Sequence, residues 1–172
     1  QSATCSVSPS LPSGLSLTQG TCSISGTPSS DGSNTTYTVT ATSTSGVSKT
    51  GEVTIWVTPI APSIAYTGSP FTFTVGAPIS SITPSNTGDS AFWSSSPSLP
   101  SGLSISSTGV ISGTPTAAST TALYTITASN PGGESTASIS ITVNAQAPNS
   151  LSYATENMTL TRGVAMSANN PS

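Results

Sequence analysis

The two cysteines, Cys5 and Cys22, are the residues of this sequence whose spacing most directly suggests chemistry. Two thiols 17 positions apart can close a loop as a disulfide, or they can serve as a metal-binding or redox pair. A structural zinc site needs about four nitrogen or sulfur ligands, but the sequence holds no His and no third Cys. Metal and redox uses are therefore the weaker alternatives to a disulfide.

Carboxylates are the other groups that could do chemistry, and the sequence holds five of them: Asp31, Glu52, Asp89, Glu134 and Glu156. They are scattered singly, whereas calcium needs several converging oxygens and paired-carboxylate hydrolysis needs two within about 5 to 10 Å. General acid–base or triad catalysis lacks its usual parts, because there is no His and only one Lys. We therefore expect no catalytic residues, no metal site and no cofactor, and we expect that the protein is not an enzyme.

Two asparagines satisfy the acceptor pattern for N-glycosylation. They are Asn34, in residues 34–36, and Asn157, in residues 157–159. Because the pattern also arises by chance, both remain candidates. Trp56 and Trp93 could stack on sugars, but both lie in strand-like segments, which predicts core packing for both side chains.

The overall composition argues against several classes of partner. Charged residues make up 4% of the chain, against roughly a quarter in ordinary soluble proteins, and Ser and Thr make up about two fifths. The whole basic inventory is Lys49 and Arg162, so no cationic track can neutralise nucleic-acid phosphates or dock on anionic lipid. No apolar run approaches the roughly 20 residues of a membrane helix. We therefore expect no nucleic acid partner and no membrane insertion.

Internal repetition is the strongest organising feature of the sequence. Identical or similar segments recur at a shift of 86 to 88 residues: 9–16 at 97–104, 24–28 at 111–115, 37–42 at 124–129, and 53–57 at 139–143. A third copy begins near the end, because residues 147–153 echo residues 61–66 and Gly163 echoes Gly76. A period of this length corresponds to one small β-sandwich domain.

The repeats divide the chain into three parts. We predict a first repeat that lacks its opening strands (residues 1–59), a complete repeat (60–145), and the opening strands of a further repeat (146–172). The chain begins at Gln1 with neither Met nor a signal segment, which favours a processed protein or a window from a longer one. The last part could complete a headless repeat of a neighbouring molecule by β-strand addition, or it could continue a longer chain. The sequence leaves both arrangements open.

Alternation of apolar and polar residues predicts strands, and no helical periodicity is present. Residues 71–75 alternate with two Phe and a Val facing inwards, and residues 158–161 repeat the pattern. Residues 124–128 and 137–143 alternate likewise around a turn cluster at 130–133, which predicts a closing hairpin. About seven short strands per repeat are typical of a two-sheet sandwich, with Trp93 as the core aromatic residue.

The segments SLPSGLS, GVISGTPT and YTITASNPGGES together resemble the putative Ig, cadherin-like repeat family of bacterial-type surface proteins. The resemblance covers nearly the whole chain. It implies an all-β fold of tandem immunoglobulin/cadherin-like β-sandwich domains of about 86 residues, located outside the cell or on its surface, and it brings no catalytic residues. In such a secreted domain a disulfide is the expected use of Cys5 and Cys22, with a contribution on the order of 3 kcal/mol.

These features predict a structural repeat module of an extracellular fibre, stalk or cell-surface array, with the Pro-containing joint at residues 58–62 holding neighbouring domains at a fixed separation. In the sharper form of this hypothesis, molecules polymerise head to tail by β-strand complementation, and the partners are copies of the chain itself or adjacent repeats. The alternative is an adhesin or carbohydrate-binding Ig-like module whose partner is a glycan.

Overall fold

The computed structural model describes residues 3–148, 152 and 157–170, and its regular secondary structure consists of β-strands. Residues 3–58, which we call the first unit, contain β1 (Thr4–Ser8), β2 (Leu15–Leu17), β3 (Ile24–Gly26), β4 (Gly32–Thr42) and β5 (Ser48–Val57). Residues 59–144, the second unit, contain β6 (Ile64–Ala65), β7 (Phe71–Thr74), β8 (Ser85–Asn86), β9 (Phe92–Ser96), β10 (Leu103–Ile105), β11 (Ile111–Gly113), β12 (Ser119–Asn130) and β13 (Gly133–Asn144). The all-β prediction is confirmed.

The first unit is built on a three-stranded antiparallel sheet. β4 is the central strand, with β1 on one side and β5 on the other. Cys5 lies opposite Ala41 across β1 and β4, and Tyr37 lies opposite Val53 across β4 and β5. A separate hairpin of β2 and β3 places Leu15 opposite Gly26.

The second unit repeats this arrangement and adds strands before it. Its main sheet has the order β7-β13-β12-β9, in which β9, β12 and β13 correspond to β1, β4 and β5. β7 is the added strand, and it runs parallel to β13. The hairpin of β10 and β11 matches that of β2 and β3, and a further pair, β6 and β8, precedes it in the chain.

The hydrophobic core lies in the second unit. Its fully buried side chains alternate along the strands as the sequence pattern predicts: Ile111, Ile126, Ile139, Ile141 and Val143. Burying one such aliphatic side chain contributes roughly 1.5–3 kcal/mol, so this cluster accounts for much of the stability of the unit. Trp93 and the two β7 phenylalanines pack against the cluster while remaining partly exposed. The predicted core role of Trp93 is therefore confirmed.

The predicted closing hairpin is present. β12 ends at Asn130 and β13 begins at Gly133, and these two residues pair across the turn. The Asn130 side-chain oxygen accepts backbone hydrogen bonds from Gly132 (2.8 Å) and Gly133 (3.1 Å), which holds the turn closed. Such side-chain capping of a turn is a common role of asparagine.

Two predictions drawn from alternation are wrong. Residues 158–161 form no strand, because no described strand lies beside them to supply hydrogen bonds. Trp56 is 56% exposed. Neighbouring residues in a strand point to opposite faces, so the inward direction of Ile55 and Val57 turns Trp56 outwards.

Candidate assembly surface

The inner face of the first unit is open. Tyr37 is only 6% exposed, but four other inward-facing residues of its sheet are only partly buried: Val39, Val53, Ile55 and Val57. Their counterparts in the second unit are between 0% and 2% exposed: Ile126, Ile139, Ile141 and Val143. The same strand pattern is therefore covered in one unit and uncovered in the other.

The covering element in the second unit is β7 with the segment that follows it. Phe71 lies opposite Ile141 and Phe73 lies opposite Val143 across the parallel pair. In the first unit, β5 pairs with β4, and no other described strand lies beside it. β5 therefore presents a row of N–H and C=O groups to which a further strand could bind.

Two carbonyl groups at the end of β3 and just after it form a second possible binding position. In the second unit, Ile79 N–H donates to the Gly113 carbonyl (3.0 Å), and Gly76 N–H donates to the Pro115 carbonyl (2.9 Å). The counterparts of the two acceptors are Gly26 and Pro28, which receive no such bonds from the described residues. Among the described residues, neither a pairing strand nor a following segment contacts these groups of the first unit.

A disulfide occupies the position that an aromatic residue fills in the second unit. Cys5 and Cys22 are bonded, with their Cα atoms 5.4 Å apart. The repeat aligns Cys5 with Trp93 and Cys22 with Gly109. A Cβ atom on Gly109 would approach the Trp93 ring to 2.5 Å, so the indole packs directly on the glycine backbone. In the first unit, the disulfide joins β1 to the loop before β3. In the second unit, the contact between Trp93 and Gly109 joins β9 to the loop before β11.

The aligned loop positions share an uncommon backbone conformation. Gly109 has a φ of +79° and Cys22 has a φ of +54°, a region that favours glycine. The Tyr66 hydroxyl donates a hydrogen bond to the Gly109 carbonyl, and burial raises the pKa of Tyr66 to about 12. Sequence reasoning missed Gly109 and Tyr66, although a strict residue-by-residue alignment of the repeats would have paired Gly109 with Cys22.

Residues 157–170, which we call the tail, carry exposed apolar residues. Four large side chains there are between 42% and 68% exposed: Met158, Leu160, Val164 and Met166. A shift of 87 residues, set by Gly76 and Gly163, aligns the tail with residues 70–83. Those residues include β7 and the segment that covers the second unit.

The tail already forms the turn that follows β7. Val164 N–H donates to the Thr161 carbonyl (3.1 Å), as Ala77 N–H donates to the Thr74 carbonyl (3.2 Å). Gly163 within this turn has a φ of +85°, close to the +79° of Gly76. The turn of the covering segment is therefore present, although the strand before it is not.

The joint between the two units is held by the second unit. Ile60 N–H donates to the Asp89 carboxylate (2.7 Å), and the Ile60 carbonyl accepts from Asp89 N–H (3.2 Å) and from the Asn130 side chain (2.8 Å). A groove of about 550 Å³ lies beside the joint, lined by both units and by the carboxylates of Asp31 and Asp89. The sequence predicted a joint of fixed length at residues 58–62 but did not indicate that Asp89 and Asn130 bind Ile60.

The remaining predicted site residues are exposed and form no metal-binding group among the described residues. Asn34, on β4, and Asn157, in the tail, are both exposed, so their glycosylation stays a prediction. Four carboxylates are also exposed, and Glu156 lies outside the described residues. Within the part of the chain that the structure describes, no three acidic, His or Cys residues are grouped to hold a metal ion. The same part contains no helix able to cross a membrane.

Comparison with known proteins identifies the family. The model of the family described as "Putative Ig domain" matches residues 1–58 and, separately, residues 54–144. No curated protein sequence matches the chain. The two matches cover most of the sequence and correspond to the two units.

Solved structures of similar fold include extracellular and enzymatic proteins. Drosophila N-cadherin EC1-4 is 14% identical, with a TM-score of 0.34 over 83% of this chain and 41% of that one. Sidekick-1 immunoglobulin domains 1-5 are 16% identical, with a TM-score of 0.41 over 84% and 33%. An endo-fucoidan hydrolase from glycoside hydrolase family 107 is 24% identical, with a TM-score of 0.39 over 82% and 23%. The chain spans less than half the length of each of these proteins, and at such TM-scores the likenesses carry no argument about function.

Proposed function

The chain belongs to the Putative Ig domain family, and on this premise we propose that it is a structural repeat module of an extracellular fibre, stalk or cell-surface array. Domains with Ig-like folds are typically extracellular. Family membership therefore supports an extracellular location, and the structural role is argued from the surfaces described above.

The proposed organisation follows the repeat. Residues 1–59 form a repeat without its opening strands, residues 60–145 form a complete repeat, and residues 146–172 carry the opening strands of a further repeat. The open inner face of the first unit supports this division, since β7 and its following segment cover the equivalent face of the second unit.

We further propose that molecules join head to tail by β-strand complementation. The observation that carries this proposal is the match between two exposed surfaces. The first unit has an uncovered apolar sheet, and the tail has exposed apolar residues in the pattern of the segment that covers such a sheet. Bringing the two together would remove both from water, which is the main driving force for protein association.

This contact would generate a linear assembly. The tail and the first unit are different surfaces, so each molecule would use one to bind the next and leave the other free. The hydrogen bonds that Ile60 makes with Asp89 and Asn130 would hold the start of the second unit in place, directly after the short joint to the first unit. The product would be a fibre of regularly spaced sandwiches.

Removal of the tail provides the test. We expect the full chain to form linear assemblies in analytical ultracentrifugation and electron microscopy, and a variant lacking residues 157–172 to remain monomeric. The complete second unit serves as the internal control, because its thermal unfolding should be the same in both proteins. A synthetic peptide of residues 157–170 should shorten the assemblies of the full chain by occupying free first units.

Several outcomes would contradict the proposal. A full chain that stays monomeric at high concentration would contradict it, as would a tail-deleted chain that still assembles. Intact mass of the native protein under denaturing, reducing conditions gives a separate check. A subunit near 16.9 kDa plus any sugar fits joining between molecules, whereas a mass several-fold larger means that the repeats are covalently continuous.

A second candidate function is carbohydrate recognition, and the observation that favours it is the outward position of Trp56. An indole that is 56% exposed on a Ser- and Thr-rich sheet could stack on a sugar ring. A glycan array compared between the native chain and Trp56→Ala tests this role. Binding that disappears in the variant would support it, and an array without binding would rule it out for the glycans tested.

A further inference from the structure

We propose that the tail of one molecule binds the first unit of a second copy in one defined register, parallel to β5, with Met158 opposite Ile55 and Leu160 opposite Val57. This inference rests on the proposed head-to-tail assembly and adds the binding surface, the direction of the added strand and the identity of each pair.

The register comes from the second unit, which contains the same contact within one chain. β7 runs parallel to β13, with Phe71 opposite Ile141 and Phe73 opposite Val143. After the last pair, Val75 N–H donates to the Asn144 carbonyl (3.0 Å). This pairing is the template for the contact between molecules.

Two sequence shifts relate this pairing in the second unit to the tail and the first unit. The tail follows residues 70–83 by 87 positions, so Met158 and Leu160 replace Phe71 and Phe73. β5 precedes β13 by 86 positions, so Ile55 and Val57 replace Ile141 and Val143. The two inward pairs stay apolar, whereas the next inward position of the tail, Arg162, replaces Val75, which packs on the core of the second unit. A register displaced by one residue would instead turn Met158 and Leu160 to the solvent.

A second set of bonds anchors the end of the tail on β3. By the same alignment, Gly163 N–H would donate to the Pro28 carbonyl and Met166 N–H to the Gly26 carbonyl. These bonds reproduce those that Gly76 and Ile79 make in the second unit, at 2.9 and 3.0 Å. The turn from Thr161 to Val164 is already formed, so little ordering is needed between the two sets of bonds.

Charge supports the same register. The pairing brings Arg162 to the end of β5, beside the groove lined by Asp31 and Asp89. Arg162 stands where the second unit has Val75, and Asp31 stands where it has Ala118. The only arginine of the chain would therefore arrive at two exposed carboxylates, an arrangement that favours the correct encounter more than it adds affinity.

The direction of the chain favours a second copy as the partner. The linker binds at the turn between β12 and β13, and β13 then leads away from that turn for 12 residues. At about 3.3 Å per residue, the chain leaves the second unit about 40 Å from its joint with the first unit. A tail that folded back onto its own first unit would have to cover that distance again. The first unit of a neighbouring molecule stacked end to end would lie next to the tail.

Cysteine pairs between molecules test the register. One chain carries Thr159→Cys and the other carries Trp56→Cys, two outward positions that the proposed register places opposite each other. Their Cα atoms would be about 5 Å apart, within the range of a disulfide. The matched control replaces Trp56→Cys by Thr54→Cys, which faces the same way but lies about 8 Å away, beyond that range.

The second unit supplies a positive control. Thr72 and Thr142 are paired in the structure, so Thr72→Cys with Thr142→Cys in one chain reports how fast a pair in this geometry oxidises. We expect the mixed Thr159→Cys and Trp56→Cys chains to give a dimer-sized product at a comparable rate, and the shifted pair to react at least 10-fold more slowly.

The outcomes separate the register from the proposed function. Faster cross-linking of the shifted pair in chains that still assemble would overturn the register and leave head-to-tail assembly intact. Wild-type chains that fail to assemble would overturn both. A chain that carries both Thr159→Cys and Trp56→Cys and closes on itself as a monomer at high dilution would overturn the choice of a second copy as partner.

Discussion

The two units have closely similar strand motifs but differ in how completely those motifs are buried. Ile111 in β11 is 0% exposed, and its counterpart Ile24 in β3 is only half-buried. β12 with β13 and β4 with β5 nevertheless form equivalent antiparallel pairs. Strand pairing in these units therefore needs only neighbouring segments of the chain, whereas a closed core also needs the opening strands.

The two units also differ in the contact that joins β1 or β9 to the loop before β3 or β11. The second unit uses Trp93 packed on Gly109, and the first unit uses a covalent bond at the aligned positions. A disulfide stabilises a fold largely by restricting the unfolded chain, and this effect does not require a filled core. It is therefore suited to the unit whose core is open.

The largest expected effect is the difference between two equivalent truncations. Ile141→Ala removes a fully buried side chain and should lower the free energy of unfolding of the second unit by about 4 kcal/mol. Ile55→Ala removes a half-buried one and should cost the unassembled first unit only about 1 kcal/mol. Urea unfolding of the tail-deleted chain measures both, and equal losses would contradict the difference in burial.

Removal of the disulfide should have the next largest effect. Replacing both cysteines, Cys5→Ser with Cys22→Ser, should lower the unfolding free energy of the first unit by about 3 kcal/mol. The second unit has no disulfide, so its thermal transition should stay unchanged and acts as the control. Calorimetry with and without reductant measures the same effect on the native sequence, and a loss confined to the second unit would contradict this assignment.

A smaller effect is expected from Gly109→Ala. The added methyl group would meet the Trp93 ring at 2.5 Å, and the backbone at this position has a φ of +79°. The combined cost should be about 2 kcal/mol for the second unit. Gly20→Ala is a useful comparison, because its φ is +85° but no atom lies within 4 Å of the new Cβ. The difference between the two variants isolates the contact with the indole.

The smallest effect at ordinary pH concerns Tyr66. Burial raises its pKa from 10.0 to about 12, so the folded second unit binds this proton more tightly than the unfolded chain does. The contribution of Tyr66 to the free energy of unfolding is therefore fully present below pH 10 and is lost as the pH rises from 10 towards 12. Tyr66→Phe should remove this part of the alkaline loss, which unfolding curves between pH 8 and pH 11 would show. An unchanged alkaline slope in the variant would assign the loss to other groups.

Sequence patterns predicted much of the fold, because the relevant information is local. The alternation in residues 124–128 and 137–143 matches the burial of Ile126, Ile139 and Ile141, and the cluster at 130–133 forms the predicted turn. Alternation failed at Trp56, where it indicated a strand but not which face of the strand was covered. It failed at residues 158–161 because a strand also needs a partner, and a sequence pattern does not supply one.

The assembly surface was only partly accessible from the sequence. The repeat indicated that residues 146–172 carry opening strands and that the first repeat lacks them. The parallel direction of β7 and its pairing with β13 came from the tertiary structure, as did the hold of Asp89 and Asn130 on the linker. These contacts join residues that are about 30 to 70 positions apart, and no local pattern encodes such a distance.

The sequence by itself determined the class of the protein. Its charge-poor composition, its period of 86 to 88 residues and its alternating strands specify tandem all-β domains of the Ig-like family. Only the tertiary structure decided how the complete unit is closed, because the parallel pairing of β7 with β13 and the packing of the segment after β7 bring distant parts of the chain together. Local sequence sets the shape of each strand, and the burial of apolar surface between distant segments determines which strands come together.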